Sequence, residues 1–287
     1  MKTHIIAAVL LLTTLTAYAQ KKEKIRGNRE VTTVIYEIDA FTNLAVKEGL
    51  EIILINGETP KVEVIADENL HEVFTIDVVD GTLRIGTTMD IRSHKKLEIF
   101  VTISQSLAKI DVDDKAIIKS MTTLNIDTAE INALGNSELD LRIKADSLAI
   151  NSYGKSEHKY ELFTQKLAIN AFEDADMEIT VTADSIAARV EFAEVKLKGR
   201  TSKLTTEVKE RGELIAHELT ATNVHVTTTE QGRAVVHASK SIEISAQQRS
   251  EIDLLGTPSS IIILKFEQEA VLRKISDANK GFLKRIF

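Results

Sequence analysis

Four columns of mostly aliphatic residues recur about every nineteen positions through the second half of this chain, and no other feature restricts its fold as strongly. The first column is Leu148, Leu167, Ile186, Leu204, Val224, Ile242 and Ile261. The second is Leu139, His158, Met177, Val195, Leu214, Ala234 and Ile252, and the third, two residues on, is Leu141, Tyr160, Ile179, Leu197, Ala216, Val236 and Leu254. The fourth follows the first by two: Ile150, Ile169, Ala188, Thr206, Val226, Ile244 and Ile263. A spacing of two within each pair is the mark of a pleated strand with one face buried. Between the pairs lie Gly135-Asn136-Ser137, Ala145-Asp146-Ser147 and Gly154-Lys155-Ser156, which are turn chemistry. Each unit is therefore expected to be two or three short strands separated by corners.

A unit this short cannot bury its own apolar face, so neighbours must stack and pair through their backbones. Successive units run the same way, which makes the sheets parallel. The expected fold class is all-β: a parallel β-helix, or solenoid, with equivalent residues about 4.8 Å apart along its axis. About eight or nine such rungs over residues 107–273 would make a rod on the order of 40 Å long. A helical solenoid needs roughly 33 residues or more per repeat, and the Leu-x-x-Leu-x-Leu pattern of leucine-rich repeats is absent. An antiparallel sandwich also shows short strands at regular spacing, but it does not require the same columns to line up across seven consecutive units.

Residues 31–106 lack the repeat and alternate in another way. Val34 to Ile38, Leu50 to Ile55, Lys61 to Ala66, Phe74 to Val79, Thr82 to Ile85 and Leu97 to Ile103 all read as strands, and Asn56-Gly57 and Asp80-Gly81 are hairpin signals. This N-terminal β region is expected to cap one end of the rod, because an uncovered rung exposes unpaired backbone groups. Residues 274–287 read as a basic C-terminal tail or cap: Leu272, Ile275, Phe282, Leu283 and Ile286 have a loosely helical spacing interrupted by Gly281, with a membrane-surface or partner helix as the other reading.

The first 19 residues stand apart. Lys2 is a short positive region, Ile5 to Leu15 an apolar stretch and Ala17-Tyr18-Ala19 a small-x-small cleavage site, the order of a secretory signal peptide followed by a linker over 20–30. Export to the periplasm, the outer surface or the medium follows. Without Lys2 the chain carries 35 basic and 43 acidic side chains, a poor match for nucleic acid or an anionic membrane. It has no cysteine, hence no disulfide, no thiol nucleophile and no lipid-attachment cysteine. No later segment is long and apolar enough to span a bilayer as a helix.

The segments Val34-Ile35-Tyr36-Glu37-Ile38-Asp39-Ala40-Phe41, Leu44-Ala45-Val46, Leu50 to Ala66 and Val78-Val79-Asp80-Gly81-Thr82-Leu83-Arg84-Ile85 resemble a known bacterial family. So do the rungs Ile131-Asn132-Ala133-Leu134-Gly135-Asn136-Ser137 and Ile150-Asn151-Ser152-Tyr153-Gly154-Lys155-Ser156. It is the "putative auto-transporter adhesin head GIN domain" family, and the resemblance covers about residues 30 to 265. The resemblance implies a right-handed β-helix, a secreted or envelope protein, and no catalytic motif to carry over. The chain is poorer in glycine at its corners than the family pattern, as in Phe172-Glu173-Asp174 and Glu194-Val195.

Parallel β-helices also carry polysaccharide lyases and hydrolases, whose sites need carboxylates clustered on one outer face. Asp111, Asp113 and Asp114 form one candidate set, and Glu173, Asp174 and Asp176 the other. Neither is expected to meet matching carboxylates in adjoining rungs: Ala193 follows Asp174 by one rung and Lys155 precedes it. His217 and His237 share an outward column, near enough across one rung to share a metal, but Lys198 and Leu255 at the flanking positions supply no third ligand. His158 falls in an inward column and reads as a hydrogen-bonded core histidine. Aromatic content is 5% with no tryptophan, a meagre sugar-stacking platform. Phosphate-binding, metalloprotease and serine-hydrolase motifs are absent.

These readings assign no catalytic, cofactor-binding or metal residue and no cofactor. They point to a non-catalytic binding or structural module whose partner is an unidentified extracellular or envelope protein or glycan, with Thr205, Thr206, Thr227, Thr228 and Thr229 on a polar flank. A carbohydrate-active enzyme on the same scaffold is the alternative, and an assembly module with an apolar exposed stripe is a third.

Overall fold

The computed structural model describes residues 22–276. Residues 1–19, read from the sequence as a signal peptide, and residues 277–287 of the tail lie outside the described residues. In chain order the strands are β1 (Lys24–Arg26), β2 (Val31–Glu37), β3 (Asn43–Val46), β4 (Glu51–Asn56), β5 (Lys61–Asp67), β6 (Phe74–Val79), β7 (Thr82–Thr87), β8 (Asp90–Ser93), β9 (Leu97–Ile103), β10 (Lys109–Val112), β11 (Ile117–Ser120) and β12 (Leu124–Leu134). They continue as β13 (Glu138–Tyr153), β14 (Glu157–Phe172), β15 (Asp176–Glu191), β16 (Glu194–Lys209), β17 (Glu213–Thr228), β18 (Arg233–Ala246), β19 (Glu251–Leu255), β20 (Ser260–Phe266) and β21 (Val271–Lys274). A 3-10 turn over Glu68–Val73 joins β5 to β6.

From β12 onward each coil pairs in parallel with the next, and the four columns stack as their spacing requires. Leu148, Leu167, Ile186, Leu204, Val224, Ile242 and Ile261 are direct neighbours across successive coils. The result is a β-solenoid of about nine turns at a rung of about 19 residues. Two details differ from the expectation. Each full rung is one uninterrupted strand of up to 16 residues that bends without leaving its ladder, because corner residues keep pairing with their neighbours. The inward positions also come in threes: in β14, His158, Tyr160 and Leu162 are buried on one face and Leu167, Ile169 and Ala171 on the other. Each buried Leu or Ile contributes about 1.5–3 kcal/mol relative to exposure, and one continuous core results.

The two edges of the rod turn by different means. Along one, the third inward position is followed by a four-residue corner stapled by hydroxyls: Thr164 Oγ1 donates to the carbonyls of Asp146 (3.2 Å) and Lys166 (3.1 Å), and Thr201 repeats this with Asp184 and Lys203. Along the other, tight turns place residues other than glycine in the left-handed region, including Glu173-Asp174, Glu210-Arg211, Glu230-Gln231 and Gln248-Arg249. This conformation costs roughly 1–2 kcal/mol per L-residue. Turn-to-turn hydrogen bonds offset part of it, as Asp174 N–H donates to Phe192 O (2.7 Å), Gln231 N–H to Gln248 O (3.1 Å) and Arg249 N–H to Gln268 O (2.8 Å). The corners poor in glycine are therefore as tight as the repeat demands.

The N-terminal region extends the ladders as well as closing them. β3 and β4 form a rung paired in parallel with β10 and β11 on one side and with β7 and β9 on the other. The fourth column thus runs back through Ile131, Ile110 and Leu44 to Leu83, and the second through Ile118 and Ile52 to Ile99. Rung order here is not chain order. Asp80-Gly81 does make the expected hairpin, between β6 and β7. Asn56-Gly57 does not: β4 already has parallel partners on both edges, so β5 crosses over to pair antiparallel with β9 and β2. Instead Asn56 Nδ2 donates to Thr123 O at 2.8 Å and Gly57 N–H to Ile103 O at 3.0 Å. Antiparallel β5 and β6 cover the last parallel rung.

One carboxylate organises this cap. Asp67 is fully buried and accepts backbone N–H groups from Arg29 (3.0 Å), Lys95 (3.1 Å) and Lys96 (3.2 Å). Burial pushes its carboxyl up, but the N–H groups of Lys95, Arg29 and Lys96 more than offset this and hold it below the usual carboxylate range. Its contribution is therefore present above the unfolded carboxyl pKa of about 3.9 and lost as pH falls through the lower folded value. Asp67→Ala is expected to release amide-exchange protection at Arg29, Lys95 and Lys96 while the coils beyond β13 keep theirs. Equal loss along the whole rod would show that Asp67 is not a local staple.

Candidate functional site

The outward positions of the rungs form two unlike faces. On the face built by the first halves of the coils, charge dominates. One column reads Lys119, Asp140, Lys159, Glu178 and Lys196, alternating in sign, and the column beside it reads Glu138, Glu157, Asp176, Glu194 and Glu213. Asp176 is thus flanked by carboxylates on both sides, contrary to the expectation drawn at Asp174, because the turn and the strand start that follows it belong to different columns. Burial, with the carboxylates of Glu194 and Glu157 beside it, holds Asp176 above its usual value against the pull of Lys196. The neighbouring lysines neutralise the stripe: Lys198 Nζ donates to Glu178 Oε1 at 2.6 Å, which lowers that glutamate. Farther along, Asp253 is buried between Arg233 (3.0 Å) and Arg273 (2.8 Å). The space above the stripe is a shallow groove of about 340 Å³.

The opposite face is nearly uncharged over its middle rungs. Its floor is Ala149, Ala168 and Ala187, and beside it runs a ladder of amides. Asn132 Nδ2 donates to Asp111 Oδ1 (2.9 Å), Asn151 Nδ2 to Asn132 Oδ1 (2.8 Å) and Asn170 Nδ2 to Asn151 Oδ1 (2.8 Å), while Asn151 also donates to Glu130 (3.0 Å). Asn132, Asn151 and Asn170 stand at one column because each follows an inward isoleucine by one position. An amide has two donors and two acceptor sites, so Asn132 and Asn170 keep an N–H, and carbonyl lone pairs remain, for a ligand at the rung repeat.

Next to the ladder are Leu134, Tyr153 and Phe172. The two rings stack at 4.9 Å with an interplanar angle of 11°, and the Arg189 guanidinium lies 5.7 Å from the Phe172 centroid. Stacking along the rod consumes ring faces and turns ring edges to solvent. The patch therefore offers apolar edge contact and hydrogen bonding rather than an open platform for a sugar ring.

The residues singled out in the sequence fall as follows. Asp111 begins the amide ladder and pairs with Lys109 at 2.9 Å; Asp113 and Asp114 lie in the turn after it, and Asp113 reaches Lys47 at 3.6 Å. Glu173 and Asp174 are turn residues apart from Asp176. His217 and His237 are not neighbours: an irregularity after Ala216 sets His237 opposite Thr220, so the longer coil carries His217 out of register. Among the described residues no group of three or more His, Asp or Glu side chains is placed to hold a metal ion. Thr206 and Thr228 point inward and are buried, leaving Thr205, Thr227 and Thr229 at the partly exposed positions. His158 is a buried core residue, its Nε2 2.9 Å from Ser152 Oγ. The amide ladder escaped the sequence reading, although asparagine after isoleucine in three successive rungs is a legible signal once the register is known.

A family model described as "Putative auto-transporter adhesin, head GIN domain" matches residues 40–161 and 157–258. Among solved structures, a "putative adhesin" from Parabacteroides distasonis superposes with a TM-score of 0.65 at 19% identity, covering 88% of this chain and 100% of its own. A "putative adhesin" from Parabacteroides merdae gives 0.62 at 19% identity, over 88% and 99% of the two chains. A "putative lipid binding protein" from Parabacteroides distasonis gives 0.62 at 17%, over 88% and 100%. At these identities the likeness is one of fold. No curated protein matches the sequence.

Proposed function

The chain belongs to the family described as "Putative auto-transporter adhesin, head GIN domain", and from that premise we propose that it is an exported, non-catalytic binding module of the bacterial cell envelope. Its contact surface is the amide-ladder face, and its ligand is an extended polar chain, a glycan or a polypeptide, lying along the rod. The observation that carries this reading is the in-register run of Asp111, Asn132, Asn151 and Asn170, whose amides are held by one another before any ligand arrives. Such preorganisation lowers the ordering cost of binding. A flat surface repeated at the rung spacing suits a repeating polymer better than a small molecule, which needs a concave site.

The test is a glycan- and protein-array screen with the chain beginning at Gln20, run beside a polysaccharide-depolymerisation assay. Binding without turnover is expected. Asn151→Ala with Asn170→Ala removes hydrogen bonds worth about 0.5–1.5 kcal/mol each and weakens binding by roughly tenfold. Unchanged binding in that variant moves the contact off this face, and an array without hits overturns the reading. The carboxylate column through Asp176 favours the enzyme alternative, and depolymerisation abolished by Asp176→Asn would establish it.

A further inference from the structure

The amides of the ladder limit what can lie on them. An ionised carboxylate only accepts, so Asp111 turns the Asn132 N–H toward itself, and each carbonyl in turn faces the next coil. Asn151 spends both N–H groups, on Asn132 Oδ1 and Glu130 Oε1, while Asn132 and Asn170 spend one each. Every amide carbonyl keeps a lone pair, so open acceptors outnumber open donors and a ligand has to bring donors. Charge beside the ladder is balanced: Lys109 pairs with Asp111 at 2.9 Å and Arg189 with Glu191 at 2.7 Å, while Glu130 heads the alanine column and Lys166 stands next to it. A polyanion would set its own carboxylates against amide oxygens and Glu130. The floor is Ala149, Ala168 and Ala187, at half-buried or exposed outward positions, and two residues before each alanine stand Ser147, Lys166 and Ser185. A strip of methyl groups, with hydrogen-bonding side chains along both margins, thus runs parallel to the rod axis.

We propose that the occupant of this strip is an uncharged, extended, β-linked glycan seated with one ring per rung, an assignment that rests on the contact face proposed above. A sugar ring with equatorial hydroxyls carries C–H groups on its faces and hydroxyls around its rim. The faces rest on the alanine methyls, and the rim donates to the amide carbonyls on one margin and meets Ser147, Lys166 and Ser185 on the other. The step agrees as well, because an extended β-linked glycan advances by about one rung per ring and every ring has hydroxyls on both sides. An extended polypeptide turns groups to one side only at every second residue, about 6.5–7 Å apart, out of step with rungs about 4.8 Å apart.

The test titrates the chain from Gln20 to Phe287 with β-linked oligomers of glucose, mannose, xylose and N-acetylglucosamine of increasing length. The glucose hexamer with each hydroxymethyl group oxidised to a carboxylate is the charged control. Binding is read by NMR at the side-chain amides of Asn132, Asn151 and Asn170. At least one neutral series is expected to shift these amides, with affinity rising until the oligomer spans the coils from β12 to β15 and levelling beyond. The oxidised hexamer is expected to bind about tenfold more weakly or not at all. Ala168→Leu, which raises the floor from an outward position, is expected to weaken binding by about tenfold with an unchanged melting temperature. Equal binding of the oxidised hexamer, or amides shifted by a peptide and by none of the neutral oligomers, overturns the ligand class and leaves the face in place. Oligomers that bind without shifting the amides or without responding to Ala168→Leu, or no binding of any kind, overturn both the ligand class and the face. Should Ala168→Leu fail to fold, the length series and the oxidised hexamer still decide.

Discussion

Replacing Leu167 by alanine is expected to lower the unfolding free energy by about 3 kcal/mol, within the 2–5 kcal/mol typical of emptied leucine sites. Leu167 is 2% exposed and sits between Leu148 and Ile186 in the middle of the longest ladder. The coils on either side are held by their own pairing, so the site has little freedom to collapse. The sharper measurement is a double-mutant cycle in urea. Leu167→Ala and Ile186→Ala should show a coupling of about 0.5–3 kcal/mol, because adjoining residues share contacts and one cavity. Leu148→Ala and Ile186→Ala, two rungs apart at roughly 9–10 Å, should be additive within about 0.5 kcal/mol. Equal coupling in both pairs would contradict nearest-neighbour stacking. In a solenoid, stability is approximately a sum of rung and interface terms, so a defect at Leu167 should also separate the unfolding of the two halves of the rod.

Between about pH 6.5 and 4, acidification should destabilise the coils through His158. His158 is the only histidine among the inward columns, takes the place of Leu139 and Met177 in the adjoining rungs, and is 2% exposed. Burial pushes its imidazole down to about 4. Its single hydrogen bond is to Ser152 Oγ, itself 2.6 Å from Ser156 Oγ, and its Nδ1 has no partner. The unfolded chain takes up this proton near pH 6.5 and the folded chain only near pH 4. Between those values the unfolded state holds more protons, so stability falls as pH is lowered through that window and stops falling from this source below it. The full effect is on the order of 3 kcal/mol. His158→Met, which repeats the residue one rung on and leaves the two serines bonded to each other, should flatten the stability curve between pH 7 and 4 relative to the native chain. Carboxylate titration is common to both proteins and cancels in the difference; parallel curves would mean that His158 protonates without cost.

Pattern along the chain was enough for the coils because a pleated strand reports its buried face at every second residue, and stacking repeats that report at a nearly constant interval. Leu167 and Ile186 declare themselves neighbours by spacing alone, and the strands at Phe74–Val79 and Leu97–Ile103 lie where alternation puts them. Local pattern also located the Asp80-Gly81 hairpin, since a two-residue turn needs only its own backbone conformations. It failed at Asn56-Gly57, where the same signal meets a strand whose edges are both occupied by residues remote in sequence. It failed again at His217 and His237, where three residues between Ala216 and Thr220 face none between Val236 and His237, which shifts the outward side chains while the core columns on either side stay in step.

What the sequence determined by itself is the solenoid, its period and its inward columns, because hydrophobic burial acts on every rung alike and leaves a periodic trace. What only the tertiary structure decided is the order in which the N-terminal strands stack, and which outward residues meet to make the amide ladder and the carboxylate column. Outward side chains carry no burial signal, and a single inserted residue moves them against their neighbours. Their partners exist only once the register between coils has been set by the backbone.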